Sequence, residues 1–216
     1  MGAPSLLNDD GSASMATALM MSHHGFRRDL ARFAVALAAL EPARVNALRD
    51  EWRAFHEHLH GHHVAEDSGI FPDLRASLPA VIERLSDDHR VLDPLLGRGD
   101  RAFAALPAPG EARAVIAELQ ALLEPHLALE EAEVIPRLRG FKAFPAPANA
   151  AELALYAEGF AWASAGIARD VVAQMDAMLP ESLRAALPEA RAAYEARCVR
   201  TWGSPQAGDA RTPIPE

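Results

Sequence analysis

The chemistry this sequence suggests rests on six residues: His23, His62, Glu66, His89, His126 and Glu130. Each stands where an otherwise apolar row, stepping by three or four residues, substitutes a polar side chain. The rows read Met20, His23, Phe26, Leu30, Phe33, Leu37; then Leu48, Trp52, Phe55, Leu59, His62, Glu66; then Val81, Leu85, His89, Leu92, Leu96; then Ile116, Leu119, Leu123, His126, Glu130. A row of this period is the buried face of a helix. Burying an imidazole, and still more a carboxylate, costs several kcal/mol unless the group is paired or holds a metal. The set therefore calls for one common explanation, and metal binding supplies it. His62 and Glu66 are four residues apart, as are His126 and Glu130, which puts each pair on one helical face with Cβ atoms roughly 5–6 Å apart. Such a pair can share one metal ion or span two.

Four helices must position these groups. Breaks fall at Glu41-Pro42, Ser77-Leu78-Pro79, Leu106 through Gly110 and Gly140 through Pro147, and they cut out four long segments. Short connections favour antiparallel neighbours, which predicts an all-α, up-down-up-down four-helix bundle. Residues on antiparallel neighbours share a height when they are equidistant from the connecting loop. The midpoint of His23 and His62 falls beside Pro42, that of Glu66 and His89 beside Leu78, and that of His89 and His126 beside Pro107. Three separate connections thus put the candidate ligands in one layer.

Composition narrows the alternatives. The chain has 216 residues, 50% hydrophobic and only 6% aromatic, which suits helices and one principal core. A formal charge of −9 argues against nucleic acid as a partner, because phosphate binding draws on clustered Lys and Arg. No apolar run is long enough to cross a membrane, so no membrane partner is expected. The single cysteine, Cys198, fits a reducing cytoplasm and reads as a small apolar side chain. The expected organisation is a disordered lead over 1–12, the bundle over 13–139, a C-terminal helical extension over 140–203 and a disordered tail over 204–216. Helical stretches are expected near 151–163, 167–179 and 188–200, with interruptions at Leu179-Pro180 and Leu187-Pro188. Trp162, Tyr194 and Trp202 are expected either to pack or to face a partner. Pro125, inside the fourth segment, predicts a kink beside His126.

The pieces His23-His24-Gly25-Phe26-Arg27-Arg28-Asp29-Leu30, His62-His63-Val64-Ala65-Glu66-Asp67 before Ile70-Phe71-Pro72, Asp88-His89-Arg90, and His126-Leu127-Ala128-Leu129-Glu130-Glu131 before Ile135-Pro136 resemble the hemerythrin-like, HHE cation-binding family over about residues 16–137. The resemblance implies a carboxylate-bridged site for two iron ions, with His23 and His62 on one metal, His89 and His126 on the other, and Glu66 and Glu130 bridging. The ligand types also admit manganese or zinc. Members of such families bind or sense O2, or react with a related small oxidant such as peroxide or nitric oxide. Oxygen-carrying members place two histidines one turn apart on the third helix. Here His89 has Leu85 and Asp93 at those positions, so a fifth ligand is absent or comes from elsewhere, with His63 the nearest candidate and Asp93 a carboxylate alternative.

Other readings compete. Peroxidase-like turnover by a di-iron oxidoreductase would use the same residues. His56-Glu57-His58-Leu59-His60 matches H-E-x-x-H, in which His56 and His60 would hold zinc and Glu57 would activate water. The core row of that helix instead places Glu57 and His58 outward, and His56, His58 and His60 are expected to be solvated or to lie outside the ligand layer. A ferritin-like oxidase would need Glu-x-x-His on two helices, and only Glu57 through His60 fits. His24 is one step off its row, expected to be exposed, and is the alternative to His23. Asp67, Glu131 and Glu133 read as outer-face charge. A metal-free bundle that binds partners through Trp162 and Trp202 is the remaining class.

Overall fold

The computed structural model describes residues 5–203, in which helices are the only regular elements, with no strand among the described residues. The main helices are α1 (Met15–Ala38), α2 (Val45–Ala65), the single turn α3 (Phe71–Leu74), α4 (Pro79–Ala104), α5 (Gly110–Glu133), α6 (Ala150–Ser164), α7 (Arg169–Met178) and α8 (Glu181–Trp202). Between α2 and α3 the chain stays helical but widens into a π turn, Glu66–Ile70. Turns of this kind occur mostly as single insertions at functional sites, and this one begins on a candidate ligand.

Local sequence sets the boundaries. Ser14 donates its backbone N–H to Thr17 Oγ1 at 3.1 Å at the start of α1, Pro79 opens α4 where no N–H is needed, and Asn149 Oδ1 accepts from the Glu152 N–H at 2.9 Å to cap α6. Gly203, with φ of +86°, terminates α8 in the left-handed conformation.

Side-chain pairs define the packing. His23 and His62 lie 5.3 Å apart and Phe33 and Trp52 6.1 Å apart, between α1 and α2. His63 and His89, at 4.0 Å, and Trp52 and Phe103, at 4.6 Å, join α2 to α4. His89 and His126, at 5.0 Å, and Arg98 with Glu118 join α4 to α5, and Arg27 with Glu124 joins α1 to α5. In each helix pair joined by two of these contacts, residue numbers rise on one helix as they fall on the other. The predicted rows are the buried faces, except that Ile82 rather than Val81 enters the core of α4. Each fully buried Leu or Phe contributes roughly 1.5–3 kcal/mol by leaving water. Trp52 and α4 fit closely, because a Cβ on Gly99 would overlap the Trp52 indole.

The C-terminal helices pack on this frame, α6 against α1 and α8 against both α2 and α6. Trp162, Tyr194 and Trp202 are all buried, so these rings turn inward rather than towards a partner. Trp162 donates Nε1–H to Asp29 Oδ2 at 2.6 Å, and Arg28 donates to the carbonyls of Trp162 and Ala165. The break expected at Leu187-Pro188 does not occur: α8 runs through Pro188, and α5 likewise runs through Pro125. Both prolines are exposed, so the carbonyl each one frees faces water instead of the core. The lead differs too. Leu6 is buried and accepts from Thr17 Oγ1 at 2.7 Å, and Arg139 donates to the carbonyls of Ser5 and Leu7. Residues 1–4 and the expected tail over 204–216 lie outside the described residues. No helix is long and apolar enough to cross a membrane among the described residues.

Candidate metal centre

All six candidate ligands meet at one level of the bundle. Glu66 Oε1 lies 3.1 Å from His62 Nε2 and its other oxygen 3.7 Å from His89 Nε2. Glu130 repeats the pattern, with Oε2 at 3.3 Å from His23 Nε2 and Oε1 at 3.4 Å from His126 Nε2. The donor atoms fall into two groups, each within 4.8 Å: His23, His62, Glu66 and Glu130 form one, and His63, Glu66, His89 and His126 form the other. Glu66 belongs to both. His63 therefore stands with the ligands, whereas Asp93 is exposed and sits 4.0 Å from His60. The π turn starts at Glu66, directly where this carboxylate enters the layer.

The donor atoms approach one another but make no hydrogen bond. The five Nε2 atoms of His23, His62, His63, His89 and His126, and both oxygens of Glu66 and of Glu130, are buried without a hydrogen bond. A buried polar atom left without a hydrogen bond costs on the order of 1–3 kcal/mol, so nine of them in one place call for a common occupant. Imidazole nitrogen and carboxylate oxygen are the donors that borderline and hard divalent metals take, so the residues fit a metal pair.

The opposite edges of two rings are tied down. His23 Nδ1 is 3.0 Å from Glu131 Oε1 and His89 Nδ1 is 3.0 Å from Asp67 Oδ2, whereas His126 Nδ1 lies 3.5 Å from Asp88 Oδ2 without a hydrogen bond. A carboxylate behind Nδ1 selects the tautomer that leaves Nε2 free for a metal. Asp67 and Glu131 thus do more than decorate the outer face. Arg27 in turn holds Glu131, at 2.6 Å.

Burial governs the proton inventory. It pushes His62 down to about 3, with the charge of His23 adding to the effect, and holds His63 and His126 below the usual histidine range. Burial opposes charge on His23 as well, but the neighbouring carboxylates of Glu130 and Glu131 prevail and His23 is pushed up to about 9. Burial pushes Glu66 up to about 7 against the attraction of His23 and His89.

Other histidines depart from expectation. His24 is buried rather than exposed and stands outside both groups, near the α6–α7 turn; its Nε2 is 3.2 Å from where a Cβ on Gly166 would sit. His58 stacks on Trp162 at 4.5 Å instead of being solvated. His56 and His60 face α4, and with Glu57 they lie outside both donor groups. Apolar walls enclose the layer: Phe26 meets His62 at 5.1 Å, Phe71 stacks on His89 at 5.5 Å, and Leu19 and Met20 are buried one turn before His23.

No curated protein and no solved structure gives a match. The model of the hemerythrin HHE cation-binding domain matches residues 14–152, a span that holds all four ligand-bearing helices and stops short of most of α6, α7 and α8. With that span covering well over half of the chain, the protein belongs to the hemerythrin HHE cation-binding domain family.

Proposed function

We propose that the layer is a carboxylate-bridged centre for two iron ions that binds or senses O2 or a related small oxidant. The observation that carries this reading is the convergence of five Nε2 atoms and four carboxylate oxygens, buried and without hydrogen bonds, from four helices. Their antiparallel contacts support an up-down-up-down four-helix frame, with α6 to α8 as a packed extension. His63, His89 and His126 would hold one ion, His23 and His62 the other, with Glu66 and Glu130 shared. When bound, the iron pair supplies the electrons for reaction with the oxidant.

The protein's own part is positional. Glu131 and Asp67 hold two imidazoles in one tautomer, and Phe26, Phe71 and Met20 exclude water. The His23–His62 side has two imidazoles against three, which leaves it the less fully surrounded and makes it the place where a small oxidant finds room. The lone cysteine is buried and supports a reducing, cytoplasmic setting.

Rapid mixing of the reduced, iron-loaded protein with O2, and separately with peroxide, tests the reading. A change in charge-transfer absorption that is abolished in His62→Ala and Glu130→Ala is expected. An unchanged spectrum with both oxidants in the iron-loaded protein would overturn it. Consumption of peroxide over many cycles would assign turnover; one stoichiometric change coupled to movement of α6–α8 would assign sensing.

A further inference from the structure

His56 and His60 of the H-E-x-x-H run of α2 are left unused by the buried centre, yet both face a partner helix. Three levels join α2 to α4. His56 Nδ1 lies 2.9 Å from Asp100 Oδ1, His60 Nδ1 lies 4.0 Å from Asp93 Oδ1, and His63 stacks on His89 at 4.0 Å. Positions 56, 60 and 63 fall on one helical face, so the series starts in an open groove and ends among the buried donors.

The outermost level is organised as a ligand would be. Asp100 Oδ1 also accepts from Trp52 Nε1 at 2.9 Å, which fixes the carboxylate, and the carboxylate sets His56 in the tautomer whose Nε2 can bind a metal. The His56 and His60 rings are 6.5 Å apart on successive turns, and both side chains are solvent-accessible. Rotation about their side-chain bonds brings two imidazoles to one ion. The neighbouring cations are already engaged: Arg49 donates to the carbonyls of Phe103, Ala104 and Leu106, and Arg53 pairs with Asp50.

We infer that His56 and His60, facing Asp100 and Asp93 across the α2–α4 groove, form an outer site for a divalent transition-metal ion that feeds the buried centre through His63. The feeding role rests on the proposed function; the outer site does not. A two-imidazole site in water binds more weakly than the enclosed donor groups, as a site that must release its ion requires. Raising the local ion concentration at the entrance speeds capture.

Cobalt(II) binding to the full apo-protein, by equilibrium dialysis and absorption, tests the site, and stopped-flow uptake of cobalt(II) tests the feeding. The wild type should bind about three ions, one of them weakly, and His56→Gln/His60→Gln should bind about two, with uptake slowed about tenfold. Circular dichroism checks that this variant, altered only at accessible positions, keeps its fold. Retention of the weak ion by the variant overturns the site, and unchanged uptake after its loss overturns the feeding role. A wild type that binds only one ion, lost in the variant, would keep the outer site and sink the buried-centre reading instead.

Discussion

His63 is stacked on His89, with ring centroids 4.0 Å apart and planes inclined by 24°. Successive histidines of α2 thereby serve opposite groups, His62 with His23 and His63 with His89 and His126. In the proposed centre, His63 on the second helix takes the place expected for a second histidine on the third. His63→Ala should therefore reduce bound metal by about one ion per chain, while Asp93→Ala leaves the content of the buried layer unchanged. Metal analysis of the two variants after identical loading distinguishes them.

That these polar residues meet in one layer was largely legible in the sequence, because a polar residue in an apolar row has few physical explanations and loop midpoints give its height. His63 was harder. It lies beside the row rather than on it, and the π turn at Glu66 alters the local helical pitch in a way that a fixed period does not anticipate. A signal did exist, since His63 and Glu66 are three apart and the midpoint of His63 and His89 falls in the connection after α3. The contacts of Asp67 and Glu131 were harder to foresee: each follows a candidate ligand by one residue, so it points outward from the layer and still reaches the back of a neighbouring imidazole. His24 and His58 looked solvent-facing because α6 covers that side of α1 and α2, and a helix packed from outside is invisible to a single-helix pattern.

The carboxylates behind the rings should matter nearly as much as the ligands. Glu131→Gln and Asp67→Asn are each expected to weaken metal binding about 10–100-fold without loss of the fold. Competition with a chelator of known affinity measures this, and wild-type affinity in both variants would contradict the assigned tautomers.

Metal binding should release protons, with a definite sign. In the metal-free protein His23 is pushed up to about 9 and Glu66 up to about 7, so each holds a proton below its value and must lose it to become a ligand. Affinity should rise with pH, most steeply below about 7, less steeply from about 7 to 9, and level off above. Calorimetry in buffers of different ionisation enthalpy counts the protons. Proton uptake, or none, at pH 6 would contradict the inventory.

The same substitution should have opposite signs at two helical glycines. A Cβ on Gly25 would stand 2.6 Å from Trp162 Cζ2, so Gly25→Ala drives α6 off α1 and should destabilise by roughly 1–3 kcal/mol despite its better helix propensity. A Cβ on Gly61 meets nothing within 4 Å, so Gly61→Ala should stabilise by about 0.5–1 kcal/mol. Thermal unfolding of both variants in the metal-free state compares them, and a shift of Trp162 fluorescence in Gly25→Ala alone would report the displaced helix.

Metal analysis of protein purified with neither added metal nor chelator tests the buried centre most directly. The account predicts about two iron atoms per chain, with a charge-transfer absorption that disappears on reduction and is lost in His62→Ala and Glu130→Ala. Protein that holds no iron, takes up none when ferrous ion is offered without oxygen, and keeps the same stability after both substitutions would contradict it.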